Sequence, residues 1–263
     1  MLDLKNKMNK PEYLYKFRKI DSFSEDILCH NSIYLSSPQH FNDPFDSSVD
    51  LIKIPDEKTA KTLYNKLNQE IKKEISNFNV FKNNEYDYWA HKIWMMKEIN
   101  VKLNKIGVCC FSCENNNILA WSHYANQHKG ICIQFKPNYN KFPFNQILKV
   151  TYDITKPQVP FESESYDNII KVKFNDWHYE SEYRIIDYNK SNCSIAIDPS
   201  EITGVILGYK SSQAESNTII NWIKRSNSKP TLYKADKDWQ NYNLKIEPYP
   251  KRRKSFREAL LNP

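Results

Sequence analysis

The chain has 263 residues and a net charge of +7, with 40% hydrophobic, 26% charged and 14% aromatic residues. That balance describes an ordered globular protein able to bury a sizeable core, and it excludes a disordered chain. No run of 18 apolar residues occurs, which excludes a membrane-spanning helix, and the four glycines (107, 130, 204 and 208) cannot compose the glycine-rich phosphate loops GxGxxG or GxxxxGK[ST].

Met1–Lys10 is charged and lacks the apolar stretch of a signal peptide, so a cytoplasmic protein is expected. Residues 13–18 alternate apolar and polar and predict a strand; Ser22 to His30 predicts a short helix capped by Ser22 or Ser24. Ile33 to Ser36 predicts a second strand, closed by Pro38. The loop Phe41-Asn42-Asp43-Pro44-Phe45-Asp46 follows, in which a stiff proline and two anchoring rings would present Asn42, Asp43 and Asp46 for substrate binding. The plainer alternative is a turn whose Asn42 and Asp43 bond only their own backbone.

Residues 56–78 and 85–105 predict two helices, with Leu63, Leu67 and Ile71 on the apolar face of the first and Trp89, Ile93 and Met96 on that of the second; Gly107 is expected as the stop. They form an αα insert, a lid or a partner-docking face. Val108 to Phe111 and Ile131 to Phe135 predict strands around a helix spanning Asn117 to His128. On that helix Trp121, Tyr124 and His128 share a face suited to stacking on a planar ring, whereas His123 points elsewhere; the plainer alternative buries Trp121 and Tyr124 in the core. Cys110 and Cys113 frame a CxxC inside an apolar run without a second pair, so buried thiols are expected and no metal.

Further strands are expected at 148–152, 171–174, 183–186, 194–197, 205–207, 231–234 and 244–247, with a helix from Ser212 to Arg225. Read as a strand, residues 179–185 place Glu180, Glu182 and Arg184 on one face, with Arg184 a further candidate for substrate binding. Repulsion between the carboxylates would separate their pKa values into an acid/base pair, unless Arg184 neutralises both in an exposed ion-pair ladder. The expected fold is α+β: a mainly antiparallel, split sheet with the 56–105 insert and a flanking C-terminal helix, all one domain over residues 1–250. The basic residues Lys251 to Lys254 and Arg257 make 251–263 a solvated tail.

Several segments together resemble a bacterial family known only as domain of unknown function 2971. They are Leu14 to Arg18, Ile33 to Pro38 running into Phe41 to Asp46, Cys110 to Ser112, Ile118 to Ala125, His128 to Cys132, and Trp177 with Tyr179 to Arg184. Ala120 departs from the bulkier residue more usual in that family. No reaction comes with this resemblance, only the expectation of an intracellular bacterial protein.

A second resemblance is to ADP-ribosyltransferases, which hold NAD without a glycine-rich loop through an early-strand Arg or His, a Ser-bearing strand and a later Glu-x-Glu. Arg18, Ser36-Ser37 and Glu180-Ser181-Glu182 occur in that order. The resemblance implies that Arg18 contacts the NAD phosphates or adenosine ribose and that Ser36 or Ser37 supports the nicotinamide side. Glu182 would stabilise an oxocarbenium-like transition state, with Glu180 and His123 as further catalytic groups and Trp121 or Tyr124 stacked on the nicotinamide ring. It implies an NAD-consuming toxin or antiphage effector modifying protein or nucleic acid, with no membrane partner. Two alternatives stand beside it: a Mg²⁺-dependent nuclease using Asp43, Asp46, Glu180 and Glu182, and a non-enzymatic module docking through the 56–105 helices.

Overall fold

The computed structural model describes residues 10–82, 85–161 and 167–250; the basic tail expected at 251–263 lies outside them. The protein is α+β. Its main sheet has eight strands, here β1 (Leu14–Arg18), β2 (Gly107–Ser112), β3 (Ile131–Phe135), β4 (Ile147–Lys149), β5 (Glu182–Asp187), β6 (Ile202–Leu207), β7 (Thr231–Lys237) and β8 (Leu244–Pro248), in the order β8-β7-β6-β3-β1-β2-β5-β4. Within this sheet only β6 and β7 run parallel, because the helix Gln213–Arg225 between them makes the crossover a parallel pair requires.

The sheet opens in its middle. β1 pairs with β3 over all five residues, Leu14↔Phe135 through Arg18↔Ile131, but with β2 only at Tyr15↔Ser112. Beyond that pair β2 turns to another partner: Ser36 and Val108 exchange both backbone hydrogen bonds, 2.9 and 2.8 Å. Ser36 ends the strand Ser32–Leu35, which pairs with Cys193–Ala196 in a separate two-stranded sheet rather than in the main one.

Pleating sorts the core. Leu14, Ile131, Ile133, Phe135, Val205 and Leu207 point to one face and pack with Ile27 and Leu28 of helix α1 (Ser22–His30) and with Ile219 and Trp222 of the C-terminal helix. Phe17, Cys132 and Ile206 point to the other, under Trp121. The N-cap of α1 is Asp21 rather than Ser22 or Ser24; Ser24 completes the capping box from inside the helix.

In the insert the first predicted helix is two, α2 (Glu57–Lys66) and α3 (Gln69–Ser76), because Asn68 caps a new N-terminus. The second is α4 (Tyr88–Asn104), and its inward face differs from the expected one: His91, Trp94, Met95, Ile99 and Leu103 are buried, while Trp89 and Ile93 are 67% and 62% exposed. Gly107 is not the helix stop. It lies within β2, where a Cβ would stand 2.1 Å from the Lys190 carbonyl oxygen, so the close backbone approach demands glycine.

Helix α5 (Ile118–Tyr124) stops four residues short of His128. Asn126, Gln127 and His128 then adopt left-handed backbone angles (φ 47°, 55° and 70°), and Gly130 returns the chain under β1 so closely that a Cβ would meet the Arg18 carbonyl oxygen at 2.2 Å. None of the described helices is long and apolar enough to cross a membrane.

Candidate active site

The opening between β1 and β2 holds a cavity of about 430 Å³, within the usual size of small-molecule sites. Lys16, Phe17 and Arg18 from β1 line one side, with Cys110, Phe111 and Ser112 from β2 opposite. Ser36, His40, Phe41, Asn42 and Asp46 close it from the segment after the strand Ser32–Leu35, and His123 and Tyr124 close it from α5. Lys173, Glu180 and Glu182 complete the lining. A second cavity of about 390 Å³ shares Lys16, Arg18, Ser36 and His40 with the first and continues past Phe23 and Tyr34, whose rings meet at 4.9 Å.

Glu180 and Glu182 reach the cavity by a route unlike the expected strand. Residues Asn175–Glu180 form a 3₁₀ helix, Ser181 takes a left-handed conformation (φ 46°), and β5 begins only at Glu182. The two carboxylates are still joined, through a lysine. Lys173 Nζ lies 2.6 Å from Glu180 Oε2, 3.4 Å from Glu182 Oε2 and 3.5 Å from Asp46 Oδ2. Arg184, buried on β5, donates from Nε and Nη2 to the two oxygens of Glu182 (2.8 and 3.0 Å) and from Nη1 and Nη2 to those of Asp46 (2.9 and 2.6 Å). Its remaining capacity goes to the Ile170 carbonyl oxygen and Ser47. The exposed ladder in which Arg184 would neutralise both glutamates is thus replaced by a buried cluster, with Arg184 on Glu182 and Asp46 and with Lys173 on Glu180.

This environment sets the carboxylates apart. Burial alone would raise Glu182, but the Arg184 and Lys173 charges prevail and hold it at about 2, a permanent anion. Burial raises Glu180, and Lys173 only partly offsets this. Tyr124 donates its hydroxyl to Glu180 Oε1 at 2.5 Å, and burial with the neighbouring Glu180 charge raises that phenol in turn. Burial would lower Lys173, but three carboxylates outweigh it and leave the amine raised and so charged. Burial and the adjacent Glu182 push the Cys110 thiol up, so it is held as a neutral wall group.

Of the residues expected from sequence, Arg18, Ser36, Asn42, Asp46, His123, Tyr124, Glu180 and Glu182 line one cavity. The others fall outside its lining. Trp121 is fully buried against Phe17, donating its indole N–H to the Asn115 carbonyl oxygen, because the short helix turns its ring inward; it is no stacking surface, and only Tyr124 of the pair remains one. His123, expected to point away, faces the cavity. Ser37 is buried beside Asn104, and Asp43 accepts from the Phe45 backbone N–H, the plain turn role. Arg184 is wholly engaged by protein groups, which removes it as a substrate contact.

Lys16, His40 and Lys173 were missed. A lysine alternating with apolar residues in a strand predicts a solvent-facing side chain, and only the opening of the sheet turns Lys16 inward. For a metal, the donor set is unsuited: Asp46, Glu180 and Glu182 are already bonded to two cations, and no group of three His, Cys, Asp or Glu among the described residues could hold an ion.

The family model described as protein of unknown function (DUF2971) matches residues 120–185. That stretch carries Tyr124, Lys173, Glu180, Glu182 and Arg184, most of the charged cluster, whereas Arg18, Ser36 and Asp46 lie before it. No curated protein and no solved structure matches the chain.

Proposed function

We propose that this protein is an NAD-consuming enzyme of the ADP-ribosyltransferase kind, which releases nicotinamide and passes ADP-ribose to an acceptor. The observation that carries the reading is the polarity of the cavity: cationic side chains at the β1 side, carboxylates of two different strengths at the β5 side. A dinucleotide has the matching polarity, with an anionic pyrophosphate and a ribose that turns cation-like as its glycosidic bond breaks.

In this scheme Lys16 and Arg18 face the pyrophosphate at the junction of the two cavities, and the second cavity takes the adenosine end beside Phe23 and Tyr34. Tyr124 borders the nicotinamide side. The bond from C1′ to the pyridinium nitrogen breaks, and its electron pair leaves with nicotinamide. Glu182, which lines the cavity as well as pairing with Arg184 and Lys173, stays ionised whatever the pH of the cell and stabilises the positive charge that develops on the ribose. The acceptor then bonds to C1′, and its proton passes to Glu180, whose raised pKa suits a base. An effector of toxin or antiphage type, acting in the cytoplasm, is the setting we propose for it.

The test is incubation with NAD labelled in the nicotinamide ring. Nicotinamide release by the wild type, reduced on the order of 10²–10³-fold in Glu182→Gln, is expected. No release, with the variant indistinguishable from wild type, rejects the reading. One observation favours a second reading, a docking module: the exposed Trp89 and Ile93 on α4. That reading predicts partner binding undisturbed by replacing Arg18, His123 or Glu182.

A further inference from the structure

We infer that His123, Trp177 and Tyr179 form a stacking platform for a base of single-stranded nucleic acid, which makes such a strand the acceptor; the acceptor role rests on the transferase reading above, the platform itself does not.

The three rings gather around His123, the one of them that lines the cavity. Centroids lie 6.4 Å apart for His123–Trp177, 6.3 Å for His123–Tyr179 and 6.0 Å for Trp177–Tyr179, with the Tyr179 plane tilted 30° and 38° from the other two. His123 is exposed and lines the cavity, while Trp177 and Tyr179 are half-buried. None belongs to the hydrophobic core clusters, so packing does not account for their gathering. The Lys173 ammonium sits 4.8 Å from the Trp177 ring centre, which ties the platform to the lysine that bridges the carboxylates.

The arrangement is held before any ligand arrives. Asn117 caps α5 through its side-chain oxygen, accepting from the Leu119 and Ala120 N–H groups, and its amide nitrogen donates to the Tyr179 carbonyl oxygen at 2.9 Å. One side chain thus joins the helix bearing His123 to the 3₁₀ segment bearing Trp177 and Tyr179. Glu180 follows Tyr179 directly, so a base resting on these rings brings its sugar hydroxyl or ring nitrogen toward the carboxylate proposed to take the acceptor's proton. Flat rings with polar edges accept any base by stacking, and a net charge of +7 suits a phosphodiester strand.

The test uses fluorophore-labelled single-stranded DNA and RNA of about twelve nucleotides, the corresponding duplex and a labelled peptide of similar length, with binding followed by anisotropy without NAD. Single strands are expected to bind more tightly than duplex or peptide, with about tenfold loss in Trp177→Ala and near wild-type binding in Trp177→Phe. If thermal melting shows Trp177→Ala unfolded, Tyr179→Ala against Tyr179→Phe makes the same comparison. Failure of every single strand to bind, equal binding by the Ala and Phe variants, or preference for duplex or peptide overturns the platform. Nicotinamide release is scored separately, so a strand-binding protein that leaves NAD intact refutes the transferase reading alone.

Discussion

The two rims of the opening in the sheet carry charges under opposite regimes. On the β5 rim, Asp46, Glu182, Lys173 and Arg184 are buried and saturate one another, so that even the fork of Arg184 has both carboxylates and a carbonyl as partners. On the β1 rim, Lys16 Nζ donates to the Cys110 carbonyl oxygen at 2.9 Å, and no described carboxylate lies within ion-pair distance of it. Arg18 reaches Asp21 through Nη2 alone, and its Nε is buried without a hydrogen-bond partner. Charges paired inside the protein fix a geometry, whereas charges left partly unpaired beside a cavity remain able to bind an anion.

The largest effect should follow breaking the saturated rim. Arg184→Met leaves Asp46 and Glu182 buried without their guanidinium and is expected to lower stability by roughly 3–5 kcal/mol in urea unfolding. Acid should reach the same rim next. Because Glu182 is depressed from 4.5 to about 2, its contribution is whole above 4.5 and lost as pH falls through about 2, on the order of 3 kcal/mol in all. Glu180 works the other way: with its pKa raised, ionisation above the ordinary carboxylate range opposes folding. Urea midpoints between pH 6 and pH 2.5 should therefore fall in the wild type and hardly change in Arg184→Met.

The unsaturated rim should give the reverse pattern. Arg18→Met is expected to weaken NAD binding about tenfold by calorimetry, the worth of a charge-assisted hydrogen bond. It should lower stability by less than about 1 kcal/mol, since the pair it loses is partly exposed. Smallest of all, Lys16→Met should leave the urea midpoint within about 0.5 kcal/mol of wild type while still weakening NAD. A Lys16 variant as unstable as the Arg184 one would erase the distinction between the rims.

What the sequence disclosed depended on how local each signal is. Strands such as Ile131–Phe135 and the capped helix after Ser212 are written in a few adjacent residues, and the structure keeps them. The face of α4 was misassigned because Trp89, Ile93 and Met96 are as apolar as Trp94, Met95 and Ile99, so periodicity could not choose between the two stripes. Glu180 and Glu182 do differ in strength, but not as neighbours on one strand: Ser181 breaks the strand they were expected to share, and burial of Glu180 together with the Arg184 and Lys173 charges beside Glu182 sets them apart, with their mutual repulsion a lesser cause. Lys173 itself carries no local mark, since its role exists only once the chain near residue 46 has folded over it.

The tight passage of Gly130 beneath Arg18 has a mechanical consequence. Three residues in succession, Asn126 to His128, hold a backbone form unfavourable for side-chain-bearing residues, and they deliver α5 and the end of β1 into van der Waals register with nothing interposed. The helix that bears Tyr124 and His123 is thereby locked to the strand that bears Arg18. The two walls of the cavity that bear Arg18 and Tyr124 are therefore joined by direct backbone contact at Gly130, and any side chain there would force them apart.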